Sequence, residues 1–354
     1  MARVIIGLSG GVDSAVAACL LKQEGYDVVG VTLRTWEASE DGTESRCCEI
    51  DDARAVAETI GIPFYAFNCV SEFREKVVMP FVRDYVCGRT PNPCVICNRC
   101  IKWERMLYHA KVLQADYVAT GHYASVVRLP NGRYTVKKAL HAEKDQTYML
   151  YRLSQEQLAA TLMPLGGYTK QEVRRIAEEL SIPVADKPDS QEICFVTDGH
   201  YSDFVADNAE TEIPGAGNFV DSEGRILGRH RGITHYTVGQ RKGLGIALGF
   251  PAYVTQIRPA QNEVVLGTDD DLFTREVVCG DVNWLSVAPP ADGETILGRA
   301  KVRYHHEAQT AQIVPVGEDS VKLVFDEAVR AAAPGQSAVF YDDDDCVIGG
   351  GIIR

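Results

Sequence analysis

Basic residues are in short supply in this chain. Its 354 residues hold 36 Lys and Arg against 49 Asp and Glu, a net charge of −13. That balance excludes indiscriminate binding of nucleic acid, because phosphate contacts need Lys and Arg, and leaves only local basic patches as candidate surfaces. Two patches exist: Arg225, Arg229, Arg231, Arg241 and Lys242 share a stretch from 225 to 242 without an acidic residue, and Arg299, Lys301 and Arg303 form a shorter run. No apolar run approaches the roughly 18 residues needed to cross a bilayer. No basic region or small-residue cleavage site precedes Val4-Ile5-Ile6, so no export signal is expected and the cytoplasm is the expected compartment. Internal repeats and extended low-complexity tracts are absent as well. Cysteine, by contrast, is plentiful. Eleven of them in such a chain read as thiols, metal ligands or catalytic groups rather than as a disulfide framework.

The densest signal lies near the start. Val4 to Leu8 is an apolar run, Ser9-Gly10-Gly11-Val12-Asp13-Ser14 follows, and an Ala-rich apolar stretch from Ala15 to Leu21 comes next. This reads as a buried strand, a Ser/Gly turn and a helix N-terminus, where unpaired N–H groups and the positive end of the helix dipole suit an anion. The turn is neither a Walker loop, since no Gly-Lys-Ser/Thr follows, nor the Gly-x-Gly-x-x-Gly dinucleotide fingerprint. Its Ser-Gly-Gly-x-Asp-Ser form resembles the PP-loop of the ATP pyrophosphatases, which adenylate a carbonyl oxygen and then displace AMP with a nucleophile. A bare strand-to-helix turn with Ser and Asp as caps is the plainer alternative.

The length suggests two or three domains. Apolar runs at 4–8, 28–33, 62–67 and 117–120 alternate with helical patterns at 51–59, 71–85 and 101–113, the signature of an α/β parallel sheet. Residues 125–136 alternate around Pro130-Asn131-Gly132 as a hairpin does. Ser154 with Gln157 and Thr169 with Glu172 form capping boxes that predict two more helices, the last ending near Leu180. Beyond about 208 the sequence turns Gly-rich and β-branched. The expected division is a Rossmann-like PP-loop domain over 1–207, a small basic β-rich domain over 208–272 and a C-terminal β-barrel over 273–354, with Pro289 to Gly293 a barrel loop.

Asn92-Pro93-Cys94-Val95-Ile96-Cys97-Asn98-Arg99-Cys100 is the second dense signal. The one other close pair, Cys47-Cys48, does not complete a zinc tetrad, so no resident metal site is expected. A loop ahead of a helix at 101 would instead favour thiolate. Cys194 sits in the polar loop Asp189 to Phe195, whereas Cys19, Cys69, Cys87, Cys279 and Cys346 read as inert core thiols.

Together with Thr90-Pro91-Asn92-Pro93, Ala119-Thr120-Gly121-His122-Tyr123, Lys144-Asp145-Gln146, Ser190 to Phe195, Thr237 to Leu244 and Pro334-Gly335-Gln336, these motifs closely resemble the tRNA-specific 2-thiouridylases along nearly the whole chain. The resemblance implies that Gly7, Leu8, Ser9, Gly10, Gly11, Val12, Asp13 and Ser14 hold the phosphates of ATP, taken with Mg²⁺, with Leu33 and Gly121 lining the nucleotide site. It further implies a persulfide on Cys194, and Cys97 as the paired nucleophile in a transient Cys97–Cys194 disulfide. Asn92, Pro93 and Cys94 would face the target base in the anticodon loop. His122, Lys144, Asp145, Gln146, Arg303, Tyr304 and Gln336 would touch tRNA, and a cysteine desulfurase or a relay protein would donate the sulfur. Some relatives have Asp at the position of Cys94, so a carboxylate role does not transfer. Three alternatives stay open: another PP-loop adenylating ligase, an iron–sulfur tRNA thiolase with Cys94, Cys97 and Cys194 around a 4Fe–4S cluster, and a nucleotide-sensing RNA-binding protein.

Overall fold

The computed structural model describes every residue except 37–49, 186, 188–192, 197–200 and 292. Cys47, Cys48, Ser190, Gln191, Glu192 and Asp292 therefore lie outside the described residues. The chain divides into two compact units, one of Met1–Val77, Cys94–Thr197 and Asp344–Val347, the other of Val78–Pro93, Asp198–Asp343 and Ile348–Arg354.

The first unit is built on a parallel sheet. Strands β1 (Arg3–Gly7), β2 (Asp27–Arg34), β3 (Phe64–Asn68) and β4 (Tyr117–Ala119) fall where the apolar runs predict them. After the hairpin β5 (Ala124–Arg128) and β6 (Tyr134–Lys138), a two-residue strand β7 (Thr161–Leu162) completes the sheet in the order β3-β2-β1-β4-β7. All four pairings are parallel. The chain thus winds one way from β1 to β2 and β3 and the other way to β4 and β7. Its topological switch point lies between β1 and β4, at whose carboxyl ends open α/β sheets bind ligands. The helix Val12–Gln23 is buried from Ser14 through Leu21, because its run of alanines lets sheet and neighbouring helices close on it from several sides.

Both capping boxes form, with Ser154 Oγ accepting from Gln157 N at 3.1 Å and Thr169 Oγ1 from Glu172 N at 3.1 Å. The helix expected over 71–85 begins at Val70 and runs to Val86, but passes through a π segment at Arg74–Val78. Pro80 has no N–H for the bond that an α-turn would ask of it, and the wide turn lies just ahead. The helix expected from Ile101 starts earlier, at Pro93, and runs through a π segment at Asn98–Trp103 into Glu104–Val112. Proline at the first helical position explains the early start. Cys87 is exposed, contrary to its reading as a core thiol, because it caps the helix Met79–Val86 rather than packing within it.

The second unit is β-rich, apart from Met79–Val86 and a further helix, Tyr201–Asn208, which sequence periodicity did not reveal. Strands β8 (Gly217–Val220), β9 (Ile226–His230), β10 (Tyr253–Arg258) and β11 (Glu263–Gly267) form a sheet in the order β10-β11-β8-β9 around Phe219, Ile233, Tyr236, Val254 and Val264. Strands β12 (Phe273–Trp284), β13 (Ile296–Lys301), β14 (Gln309–Pro315), β15 (Ser320–Arg330), β16 (Ser337–Tyr341) and β17 (Val347–Ile353) close into a barrel in the order β12-β15-β14-β13-β16-β17. Closure removes the free edges that an open sheet of this size would expose, and Ile313, Leu323, Phe325 and Phe340 fill the interior.

Candidate active site

Gly7 and Leu8 end β1, Leu33 lies near the end of β2, and Gly121 follows β4, so the residues assigned to the nucleotide gather at the carboxyl edge around the switch point. Leu8 is fixed there by its N–H to Val31 O at 2.8 Å and by Thr32 Oγ1, which donates to Leu8 O at 2.6 Å. The turn then reverses through Gly10 at φ +72°, a conformation that favours glycine. Ser9 N donates to Ser14 Oγ at 3.2 Å, and Ser14 Oγ donates to Gly11 O at 3.0 Å, which holds the loop against the helix start. Gly11 occupies the N-cap without a side chain to cap the first turn. The N–H groups of that turn are therefore left for an anion.

Gly121 approaches this turn from β4. A Cβ there would stand 2.6 Å from Ser14 N, 2.7 Å from Asp13 C and 2.9 Å from Ser14 Cα, so only glycine lets the two backbones meet. Asp13 points away from any repulsion with phosphate. Lys170 Nζ donates to both of its carboxylate oxygens at 2.7 and 2.8 Å, and Tyr123 Oη donates to Oδ1 at 2.7 Å. Sequence reading missed Lys170 and Tyr123 as site residues. The capping box at Thr169 did place Lys170 at a helix start, but nothing local connects it to a residue 157 positions away.

Lys170 is largely buried, and removing one partner of such a pair leaves the other charge uncompensated. Lys170→Met is accordingly expected to raise the KM for ATP at least about tenfold, with Lys170→Arg recovering part of the loss. A KM unchanged in the methionine variant, measured by pyrophosphate release, would reduce Lys170 to a residue of stability alone.

The cysteines are placed differently from the expectation. Because the helix starts at Pro93, Cys94 lies in its first turn and is exposed, whereas Cys97 lies one turn further in and is buried. Cys97 therefore does not sit ahead of a helix N-terminus. Its helix is anchored by Asn98 Nδ2 donating to Met149 O at 2.9 Å and by buried Trp103, whose Nε1 donates to Thr161 Oγ1 at 2.7 Å. Cys100 is partly buried, and burial, with Glu104 next, pushes its thiol up. Cys194 is half-buried on a turn. Its neighbour Phe195 is buried between Trp36, stacked at 6.2 Å, and Phe73, edge-on at 5.6 Å, so the turn is pinned beside the thiol. Cys97 and Cys194 are both free thiols. Burial pushes the thiols of Cys19, Cys69 and Cys279 up, in keeping with inert roles.

Among the described residues no three His, Cys, Asp or Glu side chains come together where they could hold a metal ion. Cys94, Cys97 and Cys194 thus do not fit a 4Fe–4S cluster, which needs three converging thiolates.

Around the site, Gln146 Oε1 accepts from Tyr123 N at 2.9 Å, and the buried Asp145 carboxylate accepts from Thr147 Oγ1 at 2.8 Å, shaping the turn that carries Lys144. His122 Nδ1 lies 2.8 Å from Thr120 Oγ1, with its ring 5.6 Å from Trp103. Burial, with the Lys102 cation next, holds its imidazole well below the usual pKa. His122 is neutral at physiological pH. The unfolded chain binds a proton there below about pH 6.5 while the folded one does not, so the histidine costs stability as pH falls. His122→Gln is expected to flatten the acid limb by about 1–2 kcal/mol between about pH 6.5 and 5, read by urea denaturation at each pH.

In the second unit, Gln336 Nε2 donates to Thr90 O at 2.9 Å, which fixes the backbone just before Asn92-Pro93. Arg303 donates to Ala331 O and Val238 O, and Lys301 lies over the ring of Tyr304 at 5.7 Å. Not all of the basic stretch is available: Arg225 is paired with Asp221 at 2.6 Å and Glu223 at 3.0 Å, acidic residues just upstream of the run.

Comparison with known proteins agrees with this layout. The profile described as tRNA methyl transferase HUP domain matches residues 2–198, that of the tRNA methyl transferase PRC-barrel domain residues 202–268, and that of the aminomethyltransferase beta-barrel domain residues 274–353. The chain is 52% identical over 361 residues to the tRNA-specific 2-thiouridylase MnmA of Lachnoclostridium phytofermentans, with all of both chains covered. Against MnmA of Clostridioides difficile it is 50% identical over 357 residues, spanning 99% of this chain and 98% of that one. Among solved structures, the U34-tRNA thiolase NcsA from Methanococcus maripaludis, with its 4Fe–4S cluster, aligns at TM-score 0.36 and 20% identity over 58% of this chain and 63% of its own. A 4-thiouridine synthetase in complex with RNA and ATP aligns at TM-score 0.36 and 18% identity, over 55% of this chain and 45% of its own. Those two likenesses stop at little more than half of this chain. Identity of about one half over the full length decides the matter: the chain belongs to the tRNA-specific 2-thiouridylase family.

Proposed function

We propose that the protein is an ATP-dependent tRNA-uridine 2-sulfurtransferase of the cytoplasm, which replaces the C2 oxygen of the wobble uridine with sulfur. The observation that carries this reading is the uncapped loop at the switch point, with Gly121 closing on Ser14 and Lys170 neutralising Asp13, in a chain with full-length identity to 2-thiouridylases. Residues 7–14 with Leu33 and Gly121 seat ATP, whose Mg²⁺ is carried largely by the phosphates. The uridine C2 oxygen attacks the α-phosphorus, and pyrophosphate leaves. A carbonyl oxygen that was a poor leaving group has become part of AMP.

The terminal sulfur of a Cys194 persulfide then attacks C2, and AMP departs. Cys97 thiolate attacks Cys194 Sγ, which breaks the S–S bond, leaves a Cys97–Cys194 disulfide and frees the sulfur on the base. An external dithiol must return two electrons to the disulfide before the next turnover, and a cysteine desulfurase or a relay protein must supply the next sulfur. Asn92, Pro93 and Cys94 face the base, which has to leave the anticodon stack. His122, Lys144, Gln146, Arg303, Tyr304 and Gln336 contact the tRNA, with Asp145 holding its turn. The division into 1–207, 208–272 and 273–354 assigns chemistry to the first domain and RNA binding to the other two as well.

The test is incubation with ATP, a persulfide donor and unmodified tRNA, followed by nucleoside analysis. The expected products are 2-thiouridine, AMP and pyrophosphate. Absence of 2-thiouridine, where a thiouridylase relative produces it under the same conditions, would overturn the reading.

A further inference from the structure

We propose that a cavity of about 360 Å³ in the second unit, lined among others by Tyr201, Arg231, His235, Thr237, Gln240 and Arg303, seats a backbone phosphodiester of the bound RNA. The proposal rests on the reading of tRNA as substrate and adds a site that the phosphate loop and the cysteines do not touch.

The cavity is rigid where it needs to be. Thr237 to Gln240 form a tight turn, with Gln240 N donating to Thr237 O at 3.0 Å and Gln240 Oε1 accepting from Thr237 N at 3.0 Å. Gly239 N donates to Val254 O at 2.7 Å, which ties that turn to β10. Arg303 reaches it from the barrel, with Nη2 donating to Val238 O at 2.6 Å and Nε to Ala331 O at 2.9 Å. Both acceptors are neutral carbonyls, so they orient the guanidinium without cancelling its charge.

The remaining groups add no negative charge to the lining. The Thr237 hydroxyl is hydrogen-bonded to the phenols of Tyr85 and Tyr201, and burial pushes both phenols up, which keeps them protonated. Burial first, then Arg231, holds His235 below its usual pKa, so the ring is a neutral hydrogen-bonding group. Asp203 acts on His235 from a distance but does not line the cavity. Arg231 is exposed and makes no ion pair among the described residues. A larger cavity in the same unit, of about 850 Å³, makes the contrast plain. Its Arg225 is held by Asp221 and Glu223, and its Arg258 by Glu263 at 3.4 Å.

Two guanidiniums around one opening, with hydroxyl and amide donors between them, are a receptor for a phosphate oxygen pair. A strand fits better than a free ion, because the exposed Arg241 and Lys242 continue the positive surface from the same turn. One phosphate would sit in the cavity and its neighbours along that edge.

The experiment compares wild type with Arg231→Gln and Arg231→Lys, substitutions at an exposed position. Unmodified tRNA is titrated between about 50 and 200 mM salt. The glutamine variant is expected to bind about 5- to 10-fold more weakly and to lose about 0.7–0.9 from the slope of log affinity against log salt, while lysine keeps the slope. Its ATP affinity, measured separately, should match wild type. Unchanged tRNA affinity and slope in Arg231→Gln overturn the proposal. So does calorimetric binding of inorganic phosphate that is lost in Arg231→Gln while tRNA binding stays the same, since the cavity would then serve a small phosphorylated compound. If wild type itself fails to bind tRNA, the functional reading falls and takes this site with it.

Discussion

Cys194→Ser is expected to lower the single-turnover rate of 2-thiouridine formation on the order of 10³-fold or more, while ATP affinity stays within about twofold. The separation follows from the layout. Cys194 lies on a turn pinned by Phe195 against Trp36 and Phe73, whereas the nucleotide loop is held by Ser14, Lys170 and Gly121. Serine preserves size and polarity but cannot carry a persulfide, so the loss reports sulfur chemistry rather than folding. Cys97→Ser should differ in kind. It should allow Cys194 to load sulfur and react once with the adenylated base, then stall as a Cys194–tRNA disulfide that added dithiol releases. Full activity with both cysteines replaced would sink the mechanism and return the chain to the ligase alternative.

The second large effect is expected at a residue with no reactive group. In Gly121→Ala the new methyl would stand 2.6 Å from a backbone nitrogen and 2.7 Å from a backbone carbon of the phosphate turn. Neither atom can swing aside as a side-chain tip can. Overpacking of this kind costs about 1–3 kcal/mol, and because the strain falls on the turn itself, ATP affinity should drop by about 10- to 100-fold. Persulfide loading of Cys194, followed by mass spectrometry after exposure to the donor, should be untouched. Gly121→Ala and Cys194→Ser thus disable opposite halves of the reaction, and equal ATP affinity in Gly121→Ala and wild type would mean that the β4 edge is not part of the nucleotide seat.

Much of this was legible in the sequence where the signal is local. Four apolar runs gave β1 to β4, because a strand buried on both faces needs an uninterrupted run of such residues. Two capping boxes formed as written, since each depends on residues only three apart. Local signals failed in three places. Strand β7, with two residues, is too short to have a period. The contribution of Lys170 to the loop exists only once the sheet has brought Thr169 and Asp13 together. The basic stretch beginning at Arg225 looked uncompensated because its counter-ions, Asp221 and Glu223, precede it. Neither π segment was foreseen, for a wide turn leaves no compositional mark.

The π segment at Asn98–Trp103 has a consequence for how this region tolerates change in length. A π turn is an α-helix carrying one extra residue. Deleting a single residue there would restore ordinary winding, but it would rotate everything on one side by about 100° relative to the other. Cys97 lies on one side of the segment, and Trp103, bonded to Thr161, lies at its far end. The two anchors could not both keep their places. In a protein where most loops can shorten or lengthen freely, these six residues act as a fixed gear: point substitutions can be absorbed, whereas a one-residue deletion would turn the thiol away from its setting.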